Sequence, residues 1–114
     1  MLTNKDYCDY DTCVALEELG FPLEEDYGGV YIKSCVYKKP SLYEAQKFLR
    51  EEIRIEVNAF YDNMDDAWRF YILEIDSPDL SGTHAYNDTY MSYEEALSKG
   101  IKEAVKILTN NKNE

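Results

Sequence analysis

The chain has 114 residues, 45% of them apolar, and sets 23 acidic against 12 basic side chains for a net charge of −11. That length specifies one domain, able to bury about two-thirds of its unfolded surface without a disulfide or metal staple. The apolar content excludes a disordered class, and the charge argues against nucleic acid or an anionic membrane as partner, since affinity for both comes from Lys and Arg.

Residues 1–8 read as a polar lead-in with no basic segment running into an apolar one, so no secretory signal is expected. No apolar run approaches the about 18 residues that a membrane span needs. Cys8, Cys13 and Cys35 form an odd set without a CxxC pair, which favours reduced thiols over a disulfide frame or a zinc knuckle. A cytoplasmic location follows as the expectation.

Asp9 or Asp11 can cap a first helix whose apolar positions Cys13, Leu16 and Leu19 recur at helical spacing. Gly20 stands where a left-handed residue would close it, and Pro22 blocks continuation. Glu24, Glu25 and Asp26 read as a charged loop and Gly28-Gly29 as a turn. Val30 to Val36 then reads as one strand, rich in β-branched and aromatic residues, that ends at Lys38-Lys39-Pro40.

Ser41 and Glu44 form a capping box that opens a second helix, with Leu42, Ala45, Phe48 and Leu49 as its buried stripe. At Ile53 the period changes to two. Ile53, Ile55, Val57 and Ala59 are assigned to one sheet face and Arg54, Glu56 and Asn58 to the other. Asp62 to Ala67 is a hairpin loop. The return strand, Trp68 to Ile75, is apolar on both faces, which marks a central strand or one with a second-face partner. His84 to Met91 alternates weakly and predicts at most a short edge strand. Ser92 with Glu95 reads as a second capping box, and Tyr93, Leu97, Gly100, Ile101, Ala104 and Leu108 line one face of the last helix. Gly100 there implies close backbone approach to the sheet, and residues 110–114 read as a frayed tail.

Candidate chemistry is sparse. Asp62, Asp65 and Asp66 in the hairpin loop could offer oxygen ligands to Ca²⁺ or Mg²⁺, but the alternating acids, central Gly and closing Glu of an EF-hand are missing. His84 is the only histidine, and no GxSxG or catalytic cysteine setting accompanies it. The carboxylate pairs Glu24/Glu25 and Glu94/Glu95 are sequence neighbours, which do not face one another on a helix, and Glu94 and Glu95 suit a first helical turn electrostatically. No glycine-rich phosphate loop exists, so no cofactor is expected. Eleven tyrosines suit small cores and binding surfaces alike, and Tyr31, Tyr37, Tyr86 and Tyr90 are the candidates for a partner surface.

The stretch Ser41-Leu-Tyr-Glu-Ala-Gln-Lys-Phe-Leu-Arg-Glu51, the strand Ile53–Tyr61 and Ser92-Tyr-Glu-Glu-Ala-Leu-Ser-Lys-Gly-Ile101 resemble small uncharacterised proteins of gut Bacteroides-type bacteria, their phages and their mobile elements. The likeness covers most of Ser41–Leu108. It implies genomic context and a cytoplasmic setting, and no activity.

The expected fold is α+β in the order α-β-α-β-β-(β)-α, a mainly antiparallel sheet of three to four strands with about three helices on one face. A double-stranded RNA-binding fold shares parts of that order, but Glu94 and Glu95 stand where phosphate-binding lysines would be needed. The leading functional expectation is a non-enzymatic accessory protein that binds another protein. The alternatives are an acidic nucleic-acid mimic that occupies a basic protein's groove and a small divalent-metal domain at Asp62–Asp66. A homodimer through a strand edge or the tyrosines is compatible with each.

Overall fold

Asp9 starts the first helix, α1 (Tyr10–Glu18), by accepting the Thr12 backbone N–H on its side chain at 2.9 Å. The helix stops at Gly20, whose φ of +100° only glycine adopts freely. Gly20 N–H reaches Glu17 O, and Phe21 N–H reaches back to Leu16 O at 2.9 Å, so the last carbonyls are satisfied in a Schellman closure. The computed structural model describes residues 6–32, 35–77 and 82–112, and only the backbone of residues 25–32, 35–37, 85 and 110–112.

The order that follows is β1 (Glu25–Ile32), β2 (Cys35–Tyr37), α2 (Leu42–Phe48) with a π-helical turn over Leu49–Ile53, β3 (Ile55–Asp62), β4 (Ala67–Glu74), β5 (Thr83–Ala85) and α3 (Tyr93–Lys112). The fold is α+β, with three helices and a three-stranded antiparallel sheet in the order β3-β4-β5. α3 packs across β3 and β4, and α1 and α2 pack against α3. The Ser41–Glu44 capping box forms as expected: Glu44 N–H reaches Ser41 Oγ, and Ser41 N–H reaches Glu44 Oε1, both at 3.1 Å. β4 is the central strand, as its two apolar faces require.

Several boundaries differ from the sequence reading. The single strand expected over Val30–Val36 is a hairpin of β1 and β2, and it forms its own two-stranded sheet. Gly28-Gly29 is no turn but lies inside β1, where Glu25 and Val30 both oppose Tyr37. Two glycines with no Cβ let the strand bulge there and rejoin its ladder. Glu25 and Asp26, read as loop, belong to the same strand. Ile53 is not in the sheet. It closes the π turn, and Arg54, at φ 69°, reverses the chain into β3. The expected edge strand shrinks to Thr83–Ala85, with a further isolated bridge between Trp68 and Tyr90. The tail expected to fray from residue 110 is helical to Lys112. At Ser92 only half the box forms. Glu95 N–H reaches Ser92 Oγ at 3.1 Å, but Glu95 Oε2 accepts from Met91 rather than Ser92.

The core lies between α3 and one sheet face. Ile55, Val57 and Ala59 of β3 and Phe70 and Ile72 of β4 meet Ala96, Leu97, Ile101, Ala104 and Val105 of α3, all buried. Leu16, Leu42 and Leu49 close it from the side. The opposite sheet face carries Phe60, Tyr71 and Leu73 and has no helix over it among the described residues.

Asp9 also joins Lys102, so α1 is tied to α3 by charge. Partial burial works to raise the Asp9 carboxyl, but hydrogen bonds from Lys102 and Thr12 outweigh it and hold it at about 2, against 3.8 normally. A carboxyl held low in the folded chain contributes stability above its unfolded value and loses it as pH falls. The wild type is therefore expected to lose more stability between about pH 4 and pH 2 than Asp9→Asn, which keeps a capping oxygen and lacks the charge. Denaturant midpoints across that range check this, and parallel curves for the two proteins would refute it.

Candidate functional site

The β3–β4 hairpin brings Asp62, Asp65 and Asp66 together, as the sequence suggested, but onto partners within the chain. Arg69 Nε donates to Asp62 Oδ2 at 2.8 Å, and Arg69 Nη2 donates to Asp65 Oδ2. The third guanidinium arm, Nη1, donates to the Asn87 carbonyl at 2.9 Å and ties the β5–α3 connection to the hairpin. Asp66 accepts from the Tyr61 hydroxyl. The Met64 backbone N–H and the Arg69 guanidinium hold the Asp62 carboxyl below its ordinary range. The two aspartates raise the guanidinium in turn, and the Asp66 bond pushes the Tyr61 hydroxyl up. A built-in cation thus sits between Asp62 and Asp65, where a divalent ion would have to go. Among the described residues no cluster of three or more His, Cys, Asp or Glu has metal-binding geometry.

Tyr86 and Tyr90 lie against Phe70, with ring centroids 4.6 and 5.9 Å away. Both are half-buried, and burial pushes both hydroxyls up. Their rings serve mainly as packing at the margin of the core. The side chains of Tyr31 and Tyr37 lie outside the described residues. A second aromatic line runs from Tyr61 to Trp68 to Tyr93, at 5.5 and 5.7 Å with edge-on geometry.

The aromatics that stand in water are different ones. Among the described residues six large apolar side chains are exposed, and four of them share the hairpin end of the sheet: Phe60 (42%), Tyr61 (45%), Met64 (95%) and Met91 (92%). Strand register brings Tyr61 beside Met91 on the α3 side of the sheet, while Phe60, next in β3, faces the uncovered side. Tyr61 pairs with Trp68, Trp68 bridges to Tyr90, and Met91 is next in the chain. Met64 projects from the turn between β3 and β4. Asp65, Asp66 and Asp88 are exposed around them. No motif in the sequence marks either methionine. The only signal for them is position, a Met at a hairpin tip and a Met just before a helix cap, where nothing apolar is needed for folding.

His84 lies on the core side of β5, and its Nε2 is 3.1 Å from Glu74 Oε2, a contact that fastens β5 to β4. Cys8 and Cys13 are buried free thiols, with Cys8 on the Ser41 carbonyl and Cys13 on the Cys8 carbonyl. Burial pushes them up to about 12 and about 11, far from the thiolate that nucleophilic chemistry needs. The Cys35 side chain is outside the described residues. Glu94 and Glu95 occupy the first turn of α3, where the helix dipole favours negative charge.

No protein-family model, curated protein or solved structure matches the chain. No helix among the described residues is long and apolar enough to cross a membrane.

Proposed function

We propose that this protein is a non-enzymatic accessory protein that acts by binding another protein through the hairpin end of its sheet. The observation that carries the reading is the concentration of Phe60, Tyr61, Met64 and Met91 there, inside a rim of aspartates. Exposed apolar side chains scattered singly are ordinary, whereas four gathered around one end of a sheet and rimmed by polar residues suit a partner that grips that end. Methionine adds adaptability, because its unbranched thioether fits irregular partner surfaces. Arg69 takes up Asp65, so Asp66 and Asp88 carry the rim's charge and favour a partner with basic residues around an apolar centre.

β3 is poorly suited to pairing with a second copy. It is an outer strand, yet Gln46 Nε2 donates to the Val57 carbonyl at 2.8 Å and the Asn58 side chain takes the Ala59 N–H at 2.9 Å. Those groups are spent and cannot template another strand. The mimic reading asks for carboxylates aligned along one face. Exposed acids such as Asp11, Glu18, Glu52, Asp65, Asp76 and Glu95 are spread over α1, the π turn, the hairpin, the end of β4 and α3. Buried, unreactive Cys8 and Cys13 suit a reducing compartment, and we place the protein in the cytoplasm.

Affinity capture from the native host with the wild type and with Met64→Asp/Met91→Asp tests the reading. Both methionines are almost fully exposed, so the double variant should fold with an unchanged unfolding midpoint. A protein retained by the wild type and lost at least tenfold with the variant is expected. Equal retention by both, or no specific protein on either, overturns the proposal.

A further inference from the structure

A second surface, which shares no residue with the first, is the cleft between the end of α1 and α2 with its π turn. It is an open groove of about 570 Å³, with the half-buried Phe21 and the edge of Phe48 as its apolar floor and Glu44, Glu51 and Glu52 on its rim. The two rings meet edge-on at 5.2 Å and form one floor. The Schellman closure at Gly20 places Phe21 there, and the capping box fixes the opposite wall.

The charges of this cleft are placed against helix electrostatics. Glu51 and Glu52 occupy the terminal π turn, at the C-terminal end of the second helical segment, where the helix dipole normally favours cations. Arg50 gives partial relief, with Nη2 3.4 Å from Glu51 Oε2. Glu52 forms no ion pair among the described residues, and Lys47 is the one cation lining the cleft. Carboxylates that cost folding energy and border an apolar floor are explained by an occupant that repays them.

We infer that this cleft docks a basic peptide segment, Lys or Arg side chains flanking one aromatic or aliphatic anchor. The anchor lies over Phe21 and Phe48, and the cations meet the rim carboxylates Glu44, Glu51 and Glu52. Apolar burial supplies affinity, and the rim supplies charge selection. The surface is separate from Met64 and Met91, so the two proposals fail independently.

The test is a fluorescein-labelled peptide Lys-Lys-Arg-Phe-Lys-Arg-Lys, titrated into the full chain by anisotropy at 150 mM salt and mapped by amide NMR shifts. Shifts confined to Gly20, Phe21, Lys47, Phe48, Glu51 and Glu52 are expected. Affinity should fall at least tenfold for Glu51→Gln/Glu52→Gln, fall at least tenfold when the peptide Phe is changed to Ser, and rise severalfold for Lys47→Gln. The pair Asp66→Asn/Asp88→Asn, at the hairpin end of the sheet, removes the same charge and should change it less than twofold. Equal loss from that pair, indifference to the peptide Phe, shifts elsewhere, or no binding would each overturn the inference. Met64→Asp/Met91→Asp should bind the peptide as the wild type does.

Discussion

Gly100→Val is expected to destabilise the fold severely, and even Gly100→Ala should cost stability although alanine is the better helix former. A Cβ at Gly100 would lie 2.7 Å from Val57 Cγ1 and 3.0 to 3.1 Å from the Phe70 ring. Val57 and Phe70 are themselves buried, so neither can swing into water. Helix propensity alone would reward alanine by about 1 kcal/mol. Overpacking a dense core costs about 1–3 kcal/mol for an added group, and at 2.7 Å the upper end applies. Alanine should therefore come out destabilised by about 1–2 kcal/mol, and valine by about 3 kcal/mol or more. On the usual scale of about 4–8 °C per kcal/mol, valine would lower Tm by more than about 12 °C. Thermal unfolding of both variants decides it. A more stable Gly100→Ala would mean that α3 does not lie this close to the sheet.

Gly100 is also where the sequence is most informative, because a glycine on the apolar face of a capped helix has few explanations. The same holds for Gly20 and for the Ser41–Glu44 box, whose geometry is local and written in adjacent residues. The misread boundaries share a different cause. Arg54 ends the π turn in a left-handed conformation, a role normally given to Gly or Asn, so nothing announces that Ile53 leaves the sheet. Gly28-Gly29 reads equally as a turn or as a bulge, and only the pairing of Tyr37 with both Glu25 and Val30 separates the two. Asn110 and Asn111 are weak helix formers, yet α3 carries through them.

The site is legible in proportion to sequence distance. Asp62, Asp65 and Asp66 are visible as a group, whereas Arg69, which neutralises two of them, sits across the turn. Its role follows only from the hairpin register, which puts Asp62 and Arg69 on the same face, one register step apart. Tyr86 and Tyr90, candidates for an exposed patch, are half-buried because Phe70 draws them in, a contact between residues 16 and 20 apart that no local pattern encodes.

Neighbouring residues of β4 give the sharpest contrast in expected energy. Ile72 is fully buried against α3 in the central strand, and Leu73 points to the uncovered face and is half-buried. Ile72→Ala leaves a cavity that α3 cannot collapse into and should cost about 3–4 kcal/mol, within the about 2–5 kcal/mol range for such truncations. Leu73→Ala removes the same kind of side chain where water already reaches, and should cost about 1 kcal/mol. The two variants differ by one position and no charge, so the gap between their midpoints isolates which sheet face is covered. Equal losses would mean that the face bearing Phe60, Tyr71 and Leu73 is buried in solution. Equilibrium unfolding at two protein concentrations a hundredfold apart then separates the causes. A midpoint that rises with concentration would identify a second copy as the cover, whereas a chain that folds alone keeps one midpoint at both.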